Sequence, residues 1–77
     1  MNKLRRKEIQ SIIERLEDIK SDIEAIQEEE QDCYDNLPEG IQDSERGEAI
    51  SENADDLESA SSDLEDIISN LQDIIDR

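Results

Sequence analysis

A chain of 77 residues forms at most one small domain, and here 24 acidic and 8 basic residues give a net charge of −16. Nucleic acid is therefore disfavoured as a direct ligand, because phosphates bind through cations. A single cysteine excludes an internal disulfide, and no run of about 18 apolar residues predicts a membrane span. We therefore expect a cytoplasmic protein that contacts neither nucleic acid nor membrane directly.

The charge is distributed unevenly along the chain. Residues 1–20 carry six basic and four acidic side chains, whereas residues 21–77 carry two basic and twenty acidic ones. A strongly negative field attracts basic surfaces and accelerates association with them. The composition thus favours a partner protein that has a basic surface.

The first predicted element is a helix over residues 3–35. Its apolar residues recur at alternating intervals of three and four, which is the heptad pattern of a coiled-coil seam. The seam consists of Ile9, Ile12, Leu16, Ile19, Ile23 and Ile26, and Ile13 widens it to one side. Cys33 also falls on this seam, where a cysteine is usually a small buried hydrophobe; an intermolecular disulfide is the alternative.

Residues 36–43 contain the turn chemistry of the chain. Pro38 has no amide hydrogen to donate to a helix, and together with Gly40 it fits a β-turn that has proline at its second position. We expect Tyr34 to pack against this loop, or alternatively against a partner. Asp43 or Ser44 is suited to cap the helix that follows.

The second predicted helix covers residues 44–76. Its seam consists of Ile50, Ala54, Leu57, Ser61, Leu64, Ile68, Leu71 and Ile75, and it is widened by Ala60, Ile67 and Ile74. Gly47, in the first turn, costs about 1 kcal/mol of helix stability relative to alanine. Its presence indicates either a close approach of another backbone segment or a helix that begins later.

A short connection between two long helices predicts an antiparallel hairpin. If the chain reverses near Gly40, facing residues have numbers that total roughly 80. This register places Glu30 near Arg46. It also places a basic cluster beside the acidic end of the second helix, pairing Lys3, Arg5, Arg6 and Lys7 with Asp73 and Asp76.

The apolar stripe is wider than one partner helix can cover. The excess residues, which we assign to an oligomer seam, are Ile13, Ile67, Ile68, Ile74 and Ile75. A core of this size rarely stabilises a chain alone. We therefore expect an all-α protein, an antiparallel two-helix hairpin of coiled-coil type that forms a homodimer as a four-helix bundle. The alternative is that the stripe receives a helix from a different protein.

Residues that support catalysis are missing from the sequence. There is no histidine to act as a base, the two glycines do not form a phosphate loop, and a pair of carboxylates needs a desolvating pocket that a slender bundle does not offer. The acidic residues between Asp32 and Asn36 lack the spacing of a calcium loop. We predict no enzymatic activity, no catalytic residue, no metal site and no cofactor.

The remaining candidate site is an acidic surface on the second helix. It consists of Glu45, Glu48, Glu52, Asp55, Asp56, Asp63, Asp66 and Asp73. Carboxylates three or four residues apart on a helix lie about 5–6 Å from one another. The surface is interpreted either as a solvated face that keeps the protein soluble or as a mimic of a nucleic-acid backbone.

The segments NKLRRKEIQSIIERLEDIKSDIE, NLPEGIQDSERGEA and LESASSDLEDIISNLQDII resemble short acidic helical proteins of phages and prophages of Gram-positive bacteria. The resemblance implies a phage accessory protein that inhibits a host defence protein inside an infected or lysogenic bacterium. Its proposed partner is a host protein with a basic surface. The alternatives are an assembly module that completes a helical bundle with a partner and, less favoured, a sponge for a small signalling molecule.

Overall fold

The computed structural model describes all residues from 1 to 77 and contains three helices. Helix α1 spans Lys3–Asp35, α2 spans Glu39–Gln42 and α3 spans Glu45–Asp76. The two long helices pack against each other along an elongated hairpin that measures 59 × 15 × 13 Å. The predicted all-helical hairpin is confirmed.

Each long helix begins at a residue whose side chain accepts a backbone hydrogen bond. Asn2 Oδ1 accepts from the Arg5 amide at 2.8 Å, and Ser44 Oγ accepts from the Gly47 amide at 3.4 Å. Both bonds satisfy donors that have no partner within the helix. Of the two caps that the sequence allowed for the second helix, the structure uses Ser44.

The connection between the long helices differs from the predicted β-turn. Pro38 stands at the first position of the turn, where its carbonyl accepts from the amides of Ile41 at 2.8 Å and Gln42 at 3.1 Å, so the turn continues into the short helix α2. Gln42 Nε2 donates to the carbonyl of Tyr34 at 3.1 Å. This bond ties α2 back onto the last turn of α1, beside the half-buried Tyr34.

At Gly47 the backbone of α3 approaches that of α2 closely. This glycine is buried, and a Cβ atom at this position would overlap the backbone carbonyl oxygens of Ile41 and Gln42. The helix nevertheless begins at Glu45, two residues earlier. Close backbone approach, rather than a later helix start, therefore explains this glycine.

The predicted seam of α3 is confirmed, but that of α1 is wrong in half of its positions. The α3 seam residues are all buried or half-buried. On α1 the side chains turned toward α3 are Ile9, Ile13, Leu16, Lys20, Ile23, Gln27, Glu30 and Tyr34, whereas Ile12, Ile19 and Ile26 are exposed. Both sets share Ile9, Leu16 and Ile23, so the apolar spacing alone fits either one.

The register also departs from the predicted one. Lys20 meets Glu65 and Glu24 meets Ser61, so facing residues have numbers that total 85, about one helical turn from the expected value. The first turn of α1 therefore extends beyond the end of α3. The predicted ion pairs of the basic cluster are absent, and Glu30 contacts Asn53 rather than Arg46.

The core consists of few residues, and its composition changes along the hairpin. Ile13 and Ile68 are buried near the open end, with 1% and 7% of their surface exposed. Both were assigned to an oligomer seam, but the structure places them between α1 and α3 because the α1 seam is rotated toward Ile13. Nearer the loop the buried positions of α3 are small: Gly47, Ala54 and Ser61.

Candidate functional site

All eight residues of the predicted acidic surface are exposed on α3. Seven residues make two helical turns, so Glu45, Glu52, Asp66 and Asp73 form one line directly opposite α1. Glu48 and Asp55 lie to one side of this line, and Asp56 and Asp63 lie to the other. The carboxylates thus form three adjacent lines on the outer surface of α3 rather than a single stripe, and Ser59 interrupts the central line.

The cations of the chain do not neutralise this surface. The two ion pairs of the structure both use Lys20, which contacts Glu24 at 2.7 Å and Glu65 at 3.5 Å. Neither acceptor belongs to the acidic surface. Its eight charges are therefore available to an external cation, as a basic partner requires.

A second surface is apolar, and the sequence pattern did not distinguish it from the seam between the two long helices. It consists of Ile12, Ile19 and Ile26 of α1 and Ala60, Ile67 and Ile74 of α3, and we call it the isoleucine face. Ile19, Ile26 and Ile67 each expose about half of their surface, at 47%, 51% and 47%. Each set of three recurs at intervals of seven residues, so each forms a line along its helix.

The two lines lie on the same side of the hairpin. Each line directly precedes the buried line of its own helix, as Ile12 precedes Ile13 and Ile67 precedes Ile68. An antiparallel helix pair has an approximate two-fold axis perpendicular to the plane of the two helices. This axis exchanges the helices but not the two sides of the pair, so equivalent lines of residues on the two helices lie on the same side. A surface depression of about 360 Å³ is lined by both Ile26 of α1 and Leu57 of α3 on this side.

The opposite side of the hairpin is polar, and we call it the polar face. Lys20, Glu24, Glu58, Ser61 and Glu65 line a depression there, and Ser61 Oγ donates to Glu24 at 3.4 Å. The hydrogen bond from Lys20 lowers the pKa of Glu24 below its ordinary value. The same bond raises the pKa of Lys20. This network links the two helices across the middle of the molecule.

Three further features bear on chemistry. Cys33 is exposed, which contradicts its predicted burial, because it continues the outward line of Ile12, Ile19 and Ile26. No group of three or more histidine, cysteine or acidic side chains is arranged to hold a metal ion. None of the helices combines the length and apolar character needed to cross a membrane.

Comparison with protein-family models, with curated proteins and with solved structures finds no match to this chain. The functional argument therefore depends on the two surfaces themselves. The sequence located the acidic surface residue by residue. It missed the isoleucine face as a separate surface, although the seven-residue spacing of Ile12, Ile19 and Ile26 was a usable signal.

Proposed function

We propose that the protein is a non-enzymatic binding protein that docks the acidic surface of α3 on the basic, nucleic-acid-binding surface of a partner protein. The observation that carries this proposal is the exposure of all eight carboxylates without a cation of the same chain beside them. A partner that normally releases counterions from phosphates gains the same electrostatic free energy from such a surface. Occupation of that surface then excludes the nucleic acid.

The charge density of the molecule supports mimicry most strongly for a dimer. A net charge of −16 along 59 Å corresponds to one charge per about 3.7 Å, compared with one per about 1.7 Å of duplex DNA. Two hairpins side by side reach one charge per roughly 1.8 Å. We therefore propose that the hairpins pair through the isoleucine face as a four-helix bundle that leaves both acidic surfaces outward, apart from Asp56 and Asp63 at their border with that face.

The biological setting of this proposal comes from the resemblance of the chain to small phage proteins. A small acidic protein produced during infection reaches host proteins in the bacterial cytoplasm. Defence proteins that bind nucleic acid carry the basic surfaces that the acidic surface complements. We propose such a host protein as the partner and inhibition as the outcome.

A pull-down from bacterial host lysate tests the acidic surface. We compare the wild type with a variant in which Asp55, Asp56, Asp63 and Asp66 are all changed to Asn. The matched control changes Glu14, Glu17 and Glu28 to Gln and Asp18 to Asn, which removes the same charge from α1. We expect the wild type and the control to retain a basic protein that short duplex DNA and 0.5 M salt (roughly a 4 Å screening length) release. Equal retention by the α3 variant contradicts the proposal.

A second candidate function is supported by the isoleucine face. An exposed apolar line on each helix also fits a partner that inserts its own helix to complete the bundle. Ile67→Asp and Ile74→Asp separate the two functions. If they abolish partner binding while the four Asn substitutions leave it intact, the helix-completing function replaces nucleic-acid mimicry.

A further inference from the structure

We propose that the isoleucine face receives a second copy of the chain in an antiparallel orientation, with a two-fold axis that passes beside Ile19 and Ile67. This inference rests on the proposed four-helix dimer and specifies its orientation and register. The two residues lie at the same height of the hairpin, because facing residue numbers total about 85. The two open ends then point in opposite directions.

The side of the hairpin that carries the isoleucine face is large enough for a specific dimer. The 59 × 15 Å outline of the whole hairpin gives a projected area of roughly 900 Å² per copy, compared with about 800 Å² per partner in a standard interface. The six residues of the isoleucine face occupy the middle of this length, over about 21 Å on each helix. A second copy presents the same outline and the same spacing, as a two-fold interface requires.

The isoleucine face is symmetric about its middle. On α1, Ile12 and Ile26 lie two turns on either side of Ile19, so Ile12 of one copy faces Ile26 of the other. On α3, Ala60 and Ile74 stand in the same relation to Ile67, so a small residue faces a large one. All six residues therefore meet an apolar partner in one register.

The charged residues that border the isoleucine face favour the antiparallel orientation. In this register Arg15 of α1 lies beside Asp22 of the second copy, and Asp56 of α3 lies beside Arg77 of the second copy. The two-fold axis repeats each pair, which gives four contacts between opposite charges. The like-charged contact on this border is between Glu8 and Glu29.

The parallel orientation places α1 of one copy over α3 of the other, and its charges fit less well. The isoleucines still meet, but Asp22 then lies beside Asp63 and Glu29 lies beside Asp56. Like charges that lie beside each other destabilise an interface. The favourable contact that remains on this border is between Glu8 and Arg77.

The charges at the two ends of the hairpin also favour the antiparallel orientation. The basic first turn of α1 extends beyond α3 and meets no acidic residue of its own chain. The loop end is strongly acidic, with nine acidic residues and one basic residue over positions 28–48. Antiparallel packing brings the basic first turn of α1 in one copy to the acidic loop end of the other. Parallel packing instead places the two acidic loop ends together.

Cysteine cross-linking tests the position of the axis. In a Cys33→Ser background we introduce Ile19→Cys or Ile67→Cys, and the matched control is Ala25→Cys on the outer side of α1. Residues on a two-fold axis meet their own copies, so we expect mild oxidation to link Ile19→Cys and Ile67→Cys at least ten times faster than Ala25→Cys. Light scattering gives the mass of each reduced variant before oxidation.

The outcomes separate this inference from the proposed function. A dimeric mass with no faster linkage at either position overturns the antiparallel register but leaves the four-helix dimer in place. A monomeric mass for the wild type and the variants overturns both. The Asn variant described above includes Asp56, which borders the isoleucine face, so its mass is measured by light scattering as well. Loss of partner binding by a variant that keeps the dimeric mass assigns that loss to the acidic surface rather than to the dimer.

Charge reversal provides a second test that preserves the isoleucine face. We expect Arg15→Asp and Asp22→Arg each to raise the dissociation constant of the dimer at least ten-fold, measured by sedimentation. The double variant restores the opposite charges and returns the constant to within about three-fold of wild type. Asp18→Arg, on the outer side of α1, is the control and leaves dimerisation unchanged. Additive losses in the double variant contradict the antiparallel orientation.

Discussion

The open end and the loop end of the hairpin are held together by different interactions. At the open end, Ile13 and Ile68 are buried between the long helices. At the loop end, the buried residues of α3 are Gly47 and Ala54, and contact depends on close backbone approach and on the hydrogen bond from Gln42 to the Tyr34 carbonyl. The comparison shows that one antiparallel pair can combine hydrophobic burial at one end with backbone proximity at the other.

The largest effect is expected at the open end. Ile13→Ala removes the most completely buried large side chain, so we expect a loss of about 2–5 kcal/mol in the free energy of unfolding. Urea titration followed by circular dichroism measures it. The control is Leu4→Ala on the extended first turn, where 65% of the side chain is exposed and a change below about 0.5 kcal/mol is expected. Similar losses for both would show that the open end has no distinct core.

An intermediate effect is expected at the loop end, where two glycines should respond with opposite signs. Gly47→Ala places a methyl group against the carbonyls of α2, and we expect a net loss of about 1–3 kcal/mol. Gly40→Ala meets open space in α2 and should raise stability by about 0.4–1 kcal/mol. Thermal and urea unfolding check both variants. A stabilising Gly47→Ala would remove close backbone approach as the explanation of the loop end.

The smallest effect is expected midway between the ends, at Glu24. Its pKa is lowered by the hydrogen bond from Lys20, so its stabilising contribution is present above the ordinary value of 4.5 and is lost as the pH falls through the lower folded-state pKa. At pH 7 we expect Glu24→Gln to unfold at a lower temperature than the wild type. The difference should close as the pH falls below the folded-state pKa of Glu24.

Glu17→Gln is the matched control for this pH dependence. It removes an exposed carboxylate that forms no ion pair. Its melting temperature at pH 7 should equal or slightly exceed that of the wild type, because the chain loses one of many repelling charges. A difference for Glu24→Gln that persists unchanged into acid would assign its role to packing rather than to charge.

The sequence was sufficient for the helices and for the α3 seam but not for the pairing between them. Pro38 and the heptad spacing mark where the helices end, and these are local properties. The choice between Ile12 and Ile13 as a seam residue is not local, because both fit the same alternation of three and four. It depends on which residues α3 presents to α1: the small Ser61 faces Glu24 and lines the same depression as Lys20 and Gln27.

The acidic surface and the isoleucine face also differ in whether local sequence patterns are enough to predict them. The acidic surface could be predicted because exposed carboxylates follow from helix periodicity and charge alone. The isoleucine face could be separated from the core only after the register of the two helices was known. The difference between the predicted and the observed register also moved Glu30 away from Arg46. Long-range pairing is not encoded in any single segment of the chain.

The close contact between Gly47 and α2 also has a consequence for the order of folding. Contacts at the turn close a loop of roughly ten residues, whereas burial of Ile13 and Ile68 between the helices closes one of roughly 55, at an additional entropic cost of about 1.5 kcal/mol. The largest apolar burial therefore forms where chain closure is most costly. A turn that forms early brings the two long helices together and reduces this entropic cost. Substitutions at Gly47 should therefore slow folding, whereas substitutions at Ile13 should mainly accelerate unfolding.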